Sequence, residues 1–200
     1  MIAAVVLAAG ASTRMGEPKA LLRTPDGRRY VEAIAETARA AGCDEVVVVL
    51  GPPHGDTIRA AMPAVTVAWN AHPERGMLSS VQAGLAALPP GRDADGGGDG
   101  GRDGDAALIW PVDIPFVEVA TVRTLVMHRG TIVVPVHNER GGHPLRLARA
   151  HFAEVMTLEP SRGLKALLES HAAEVTRLPT DDAAVLVDVD TPDDYARTRA

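Results

Sequence analysis

Apolar residues follow two rhythms along the chain. Residues 2–9, 45–50, 65–69, 106–110 and 131–136 are short, nearly unbroken runs of Val, Leu, Ile and Ala, the pattern of strands covered on both faces. Between them, residues 31–41, 57–61, 78–88 and 117–129 carry apolar positions at helical spacing. Repeated units of this kind predict an α/β fold with a mostly parallel sheet and its ligand at the carboxyl ends of the strands. Beyond residue 136 the rhythm changes. A turn at 138–142 joins two short extended segments, and helices are expected near 149–157 and 162–170. Strands are expected at 174–178 and 184–189, with a terminal helix starting near Pro192. This elaboration predicts the second wall of a cleft.

Composition narrows the function classes. Two hundred residues fit one domain spanning 1–200, and a chain of this length buries roughly 70% of its unfolded surface. Only 3% of residues are aromatic and the net charge is −6. Single-stranded nucleic acid needs stacking platforms over a basic groove, so a polynucleotide partner is excluded and a mononucleotide is not. Cys43 is the only cysteine; it predicts neither a disulfide nor a thiolate metal cluster and reads as a small buried filler. Residues 91–105 are rich in Gly and Asp and predict a flexible loop. Their spacing lacks the alternating ligands and distal Glu of a calcium loop. With no signal-like segment and no run of membrane-spanning length, a cytoplasmic protein without membrane contact is the expectation.

The most telling chemistry lies at the end of the first apolar run. Residues 7–22 read LAAGASTRMGEPKALL. A buried strand running into a small-residue loop exposes backbone N–H groups at one spot, which suits an anion. Arg14 offers a planar fork and Lys19 a compact charge to the same ligand, so the loop predicts nucleoside triphosphate binding. It is not a P-loop, because five residues separate Gly10 from Gly16 and Glu17 follows. Nor is it a dinucleotide fingerprint, since Ala11 and Ser12 follow Gly10.

Carboxylates supply the second component. Asp113, in PVDIP after a predicted strand, stands at the sheet edge where the Gly10 loop is expected; it reads either as a Mg²⁺ ligand or as a helix cap. In VLVDVDTPDD, Asp188 and Asp190 alternate with valines and are expected on one side of a strand. Asp190 reads either as the cap of the terminal helix or as the partner of Asp113 on the metal, with Asp188 as its neighbour. Ser79 and Ser80 open a helix after a glycine turn and suit ribose or phosphate contacts, although serines there also serve as ordinary caps. His143 follows two glycines in a turn open to a ligand, with nothing local to make it a general base.

The first segment resembles the signature of nucleotidyltransferases with a GT-A-like fold, L-A-A-G-x-S-x-R-M-G-x-x-K-x-L-L, with every fixed position filled. GMLSSVQAGL, PVDIP, GGHPL, SRGLKALL and VDVDTPDD follow in the order seen in molybdenum cofactor cytidylyltransferases, so the chain is similar to that family over almost its whole length. The resemblance implies a three-layer α/β fold and transfer of CMP from CTP to the terminal phosphate of a molybdopterin-type pterin cofactor, with Mg²⁺ and release of pyrophosphate. It assigns Leu7, Ala8, Ala9, Gly10, Arg14, Lys19, Ser79 and Ser80 to the nucleotide, and Asp113 and Asp190 to the metal. Arg14, Lys19 and Asp113 become the catalytic set, and Gly142, His143 and Pro144 the acceptor side. Ala8, Ala9 and Gly10 stand where guanylyl-transferring relatives commonly have AGG, which favours cytidine. Pro111 and Val112 stand where many members have a Gly-Asp type sequence, and the 91–105 loop is unusually long. A molybdenum hydroxylase or its maturation factor is the implied protein partner. Three other activities share these features: transfer to another phosphorylated acceptor, a cofactor carrier without turnover, and an oxidoreductase related to dye-reducing relatives.

Overall fold

Strand β1 (Ile2–Leu7) is buried along nearly its whole length because it lies between two parallel neighbours and under helices on both faces. The computed structural model describes residues 1–62, 65–90 and 105–199. The expected loop at 91–105 therefore lies outside the described residues except for Asp105. The chain continues through α1 (Tyr30–Ala41), β2 (Glu45–Leu50), α2 (Gly55–Ala61), β3 (Thr66–Trp69), α3 (Met77–Ala86) and β4 (Ala106–Pro111). It then forms α4 (Val119–Met127), β5 (Ile132–His137), β6 (Arg140–Gly141), β7 (Leu145–Ala148) and α5 (Phe152–Thr157). Helix α6 (Lys165–Ser170), β8 (Val175–Pro179) and α7 (Pro192–Arg197) complete it.

Among the described residues, eight strands make one sheet in the order β3-β2-β1-β4-β7-β5-β6, with β8 beside β5. Pairs β1–β2, β1–β4, β2–β3 and β5–β8 are parallel, whereas β7 runs antiparallel to β4 and to β5. Alternation within the strands divides the core into two layers. Ala4, Val6, Val48 and Leu108 face Val31, Ile34 and Ala38 of α1 and Val122 and Leu125 of α4. Ala3, Val5, Val49 and Ile109 face Leu78, Val81 and Leu85 of α3, together with Val155 and Leu167. Helix α3 lies close to the sheet because residue 84 is glycine: a Cβ there would stand 2.3 Å from Val5 Cγ1. Among the described residues, no helix is long and apolar enough to cross a membrane.

The segment expected as a strand at 184–189 is not one. Asp182 accepts a 3.0 Å hydrogen bond from the Ala184 amide and starts a 3₁₀ turn over Ala183–Leu186. Buried Val185 then docks through its carbonyl, which accepts from the His143 amide at 2.9 Å. Single bonds replace a ladder, so the alternation argument for Asp188 and Asp190 does not hold. Asp188 is exposed, and Asp190 is partly buried at the sheet edge.

Candidate active site

Strand order 3-2-1-4 reverses direction between β1 and β4, the position where open parallel sheets form a crevice beyond the carboxyl ends. The register pairs Leu7 with Pro111, and the Val112 amide donates to the Leu7 carbonyl at 3.2 Å. The segments following the two strands therefore leave the sheet side by side. Between them opens a cleft of about 300 Å³.

One wall is the loop after β1. Ser12 adopts a left-handed conformation (φ 50°), and its carbonyl accepts from the amides of Met15 and Gly16, both at 3.0 Å. Its hydroxyl accepts from the Lys19 amide at 3.2 Å. Gly16 needs its glycine for a positive φ of 82°. Gly10 has no such internal need: its φ is not positive, and a Cβ there would meet nothing within 4 Å. Leu7, Ala8, Ala9, Gly10, Arg14 and Lys19 all line the cleft.

The opposite wall carries the acids. Trp110 is fully buried, and its indole N–H donates to the Ile114 carbonyl at 2.8 Å, tying the PVDI turn back over β4. Asp113 caps no helix, since α4 begins six residues later with Glu118 as its N-cap. Asp190 caps none either. Thr191 and Asp194 form the capping box of α7, leaving the Asp190 carboxylate for other partners. Lys19 Nζ donates to Asp113 Oδ2 at 3.0 Å and also to Asp190 Oδ1, while Arg14 reaches Asp190 Oδ2 at 2.8 Å.

Electrostatics follow from this sharing. Burial alone would lower the Lys19 pKa, but hydrogen bonds and charge from Asp190 and Asp113 outweigh it and raise the value. The bond from Lys19, with lesser help from Arg14, holds the Asp190 carboxyl below the usual aspartate range. Arg14 is largely exposed at the mouth.

The serines divide. Ser80 lines the cleft. Ser79 is not among the lining residues, and its hydroxyl donates to the Gly76 carbonyl at 2.7 Å. Both hydroxyls accept from Asn70 Nδ2, at 2.8 and 2.9 Å. Gly142, His143 and Pro144 do not line this cleft. A Cβ on Gly142 would lie 2.3 Å from the Val185 carbonyl oxygen, so this glycine permits chain-to-chain contact and does not leave an opening. The His143 imidazole is driven toward its neutral form by burial, opposed by the Ile109 carbonyl and the charge of Asp113.

Sequence reasoning missed Asn70, Ile58 and Met77. Asn70 is buried and positions both serines; an Asn directly after a predicted strand, at the ligand edge of the sheet, was its signal. Ile58 and half-exposed Met77 give the cleft an apolar side. No local pattern distinguishes them from ordinary helix residues.

Comparison with known proteins agrees with this architecture. The nicotine blue oxidoreductase of Paenarthrobacter nicotinovorans is 33% identical, covering 98% of this chain and 95% of its own. The molybdenum cofactor guanylyltransferase of Xanthomonas euvesicatoria pv. vesicatoria (strain 85-10) is 27% identical over 96% of this chain and 92% of its own. The molybdenum cofactor cytidylyltransferase of Escherichia coli (strain K12) is 22% identical with the same coverage, 96% and 92%. Among solved structures, Rv0371c of Mycobacterium tuberculosis H37Rv in complex with manganese superposes with a TM-score of 0.77 at 31% identity, covering 98% of this chain and 97% of that one. Residues 4–176 match the MobA-like NTP transferase domain, and the chain belongs to that nucleotidyltransferase family.

Proposed function

We propose that the chain is one nucleotidyltransferase domain over residues 1–200 that moves CMP from CTP to the terminal phosphate of a molybdopterin-type cofactor. An acceptor phosphate oxygen forms the new bond to the α-phosphorus, the bond to the bridging α–β oxygen breaks, and pyrophosphate leaves with the electron pair. The observation carrying this reading is the Lys19 ammonium shared by Asp113 and Asp190 at the mouth of the Gly10 loop. Such transfer depends on positioning and charge neutralisation and needs no side-chain nucleophile.

Each residue then has a task. Exposed Gly10 lets the triphosphate approach the loop amides. Lys19 turns from the carboxylates toward the triphosphate oxygens and Arg14 follows it at the cleft mouth, so that each cation exchanges one anionic partner for another. Asp113 and Asp190, a pair of hard oxygen donors in one cleft, fit a divalent ion and would hold Mg²⁺. That ion would neutralise charge on the triphosphate. The manganese complex of Rv0371c supports a divalent requirement. Ala8 and Ala9, which line the cleft, favour cytidine.

A second reading rests on the 33% identity to nicotine blue oxidoreductase: reduction of a dye-like substrate in the same cleft. Pyrophosphate release is the deciding experiment, with CTP, GTP, ATP and UTP each mixed with Mg²⁺ and a phosphorylated pterin. CTP-dependent pyrophosphate is the expected result. Consumption of NAD(P)H without pyrophosphate would establish the oxidoreductase, and GTP-dependent release would overturn the choice of base.

A further inference from the structure

A cluster of histidines and carboxylates lies on the opposite edge of the sheet from the cleft. His151 ends a 3₁₀ turn over Arg149–His151, His171 follows α6, and Glu174 immediately precedes β8. Strands β5 and β8 are parallel, and β5 runs with β4 because each is antiparallel to β7. The start of β8 is therefore at the amino edge, whereas Asp113 is at the carboxyl edge. Six-residue strands at about 3.3 Å per residue separate those edges by about 20 Å.

The local geometry converges on one point. One nitrogen from each of His151 and His171 and a carboxylate oxygen of Glu174 all lie within 4.8 Å of one another. Glu174 Oε1 is 2.9 Å from His171 Nδ1, and its Oε2 is 3.5 Å from His151 Nε2. The His151 side chain is only 7% exposed, yet its buried Nε2 has no hydrogen-bond partner. A buried polar atom without a partner is costly, and this one is directed at a carboxylate too far away to satisfy it. On its other side, His171 Nε2 lies 2.7 Å from Glu154 Oε2 of α5. A carboxylate behind a histidine is the arrangement that fixes the ring of a metal ligand. Thr131 Oγ1 donates to Glu174 Oε2 at 3.0 Å and orients that acid in turn.

We propose that His151 Nε2, His171 Nδ1 and Glu174 bind a divalent transition metal, zinc foremost, with Glu154 positioning His171. Two imidazoles and a carboxylate suit zinc, and about 2.0–2.1 Å ligand bonds require the three groups to close in by small side-chain rotations. The two glutamates balance the ion's charge. The fourth position is left to water. Because the ligands come from the start of α5, the end of α6 and the start of β8, the ion would fasten the C-terminal elaboration to the sheet, apart from the chemistry at Asp113.

The test is Co²⁺ titration of the full chain, freed of any affinity tag and stripped with chelator, followed by displacement with Zn²⁺. Expected are visible ligand-field bands of a four- or five-coordinate ion that saturate at one equivalent, and a rise in Tm on adding Zn²⁺. His171→Asn and Glu174→Gln should abolish the bands, and Glu154→Gln should weaken affinity about 10–100-fold. Circular dichroism checks that each variant is folded, and pyrophosphate release should be unchanged in all three. Asp113→Asn must retain the bands. Their loss in Asp113→Asn, their survival in His171→Asn, or no binding at micromolar Co²⁺ would each overturn the site.

Discussion

The main-chain carbonyl of Asp113 accepts a 2.9 Å hydrogen bond from the amide of Val189. Val189 is fully buried, so this bond fixes the C-terminal segment against the turn after β4 and delivers the next residue, Asp190, to the same lysine that Asp113 holds. Two carboxylates 77 positions apart (190 − 113) in the sequence are thereby brought to one cation.

Asp113→Asn and Asp190→Asn should each lower Mg²⁺-dependent turnover at least about 100-fold and weaken the Mg²⁺ enhancement of CTP binding. Because both would serve one ion, the double variant should be scarcely worse than either single one. Steady-state kinetics of the three variants measure this directly. Fully multiplicative losses would mean that the two acids act independently.

Much of the fold is legible from residues because the central strands are buried on both faces and read as unbroken Val, Leu and Ile runs. The 184–189 segment misleads for a related reason. Its alternating valines resemble a half-buried strand, but the Asp182 cap turns the chain into a 3₁₀ helix, a preference decided by one side chain. The expected meeting of Asp113 with Asp190 came from topology, and the structure reaches it by another local route: Asp190 follows no strand. Ile58 and Met77 were not legible because their places depend on contacts between segments rather than on any period.

Two glycines separate the needs of folding from those of the ligand. At position 84 a Cβ would stand 2.3 Å from Val5 Cγ1 and 2.8 Å from Val49 Cγ2, both of them fully buried side chains. Alanine in a helix gains about 1 kcal/mol over glycine, yet overpacking costs about 1–3 kcal/mol, so Gly84→Ala should be net destabilising. Gly10→Ala meets nothing within 4 Å and should leave stability within about 0.5 kcal/mol. Its CTP Kd should still rise about tenfold or more, which is about 1.4 kcal/mol. Urea unfolding and nucleotide titration of both variants check the contrast. Unchanged CTP affinity in Gly10→Ala would remove the loop amides from the binding site.

Cys43 is buried, and burial pushes its thiol up to about 12. At pH 8 about one molecule in ten thousand then carries the reactive thiolate. A chromogenic disulfide reagent should label no thiol in the native protein over an hour and one thiol in denaturant. Fast native labelling would contradict the burial and reopen a chemical role for this cysteine.

Lys19→Met should reduce turnover at least about 100-fold without unfolding the chain, as loss of a charge contact in the transition state does. Its effect on stability has a defined pH window. The Asp190 pKa is depressed by Lys19, so the carboxylate's contribution is complete above the ordinary aspartate value, about 3.9, and is lost as pH falls through the lower folded-state value. The Lys19 pKa is raised, so its contribution is complete below the ordinary lysine value, about 10.4, and is lost as pH rises through the higher folded-state value. Between those limits both groups are fully charged in the folded and unfolded chains alike, and linkage gives no slope. The stability difference between wild type and Lys19→Met should therefore be flat from about pH 5 to 9 and shrink in stronger acid. Urea unfolding at pH 3, 5, 7 and 9 measures it. A difference that changed across neutral pH would show that some group other than Asp190 and Asp113 governs the lysine.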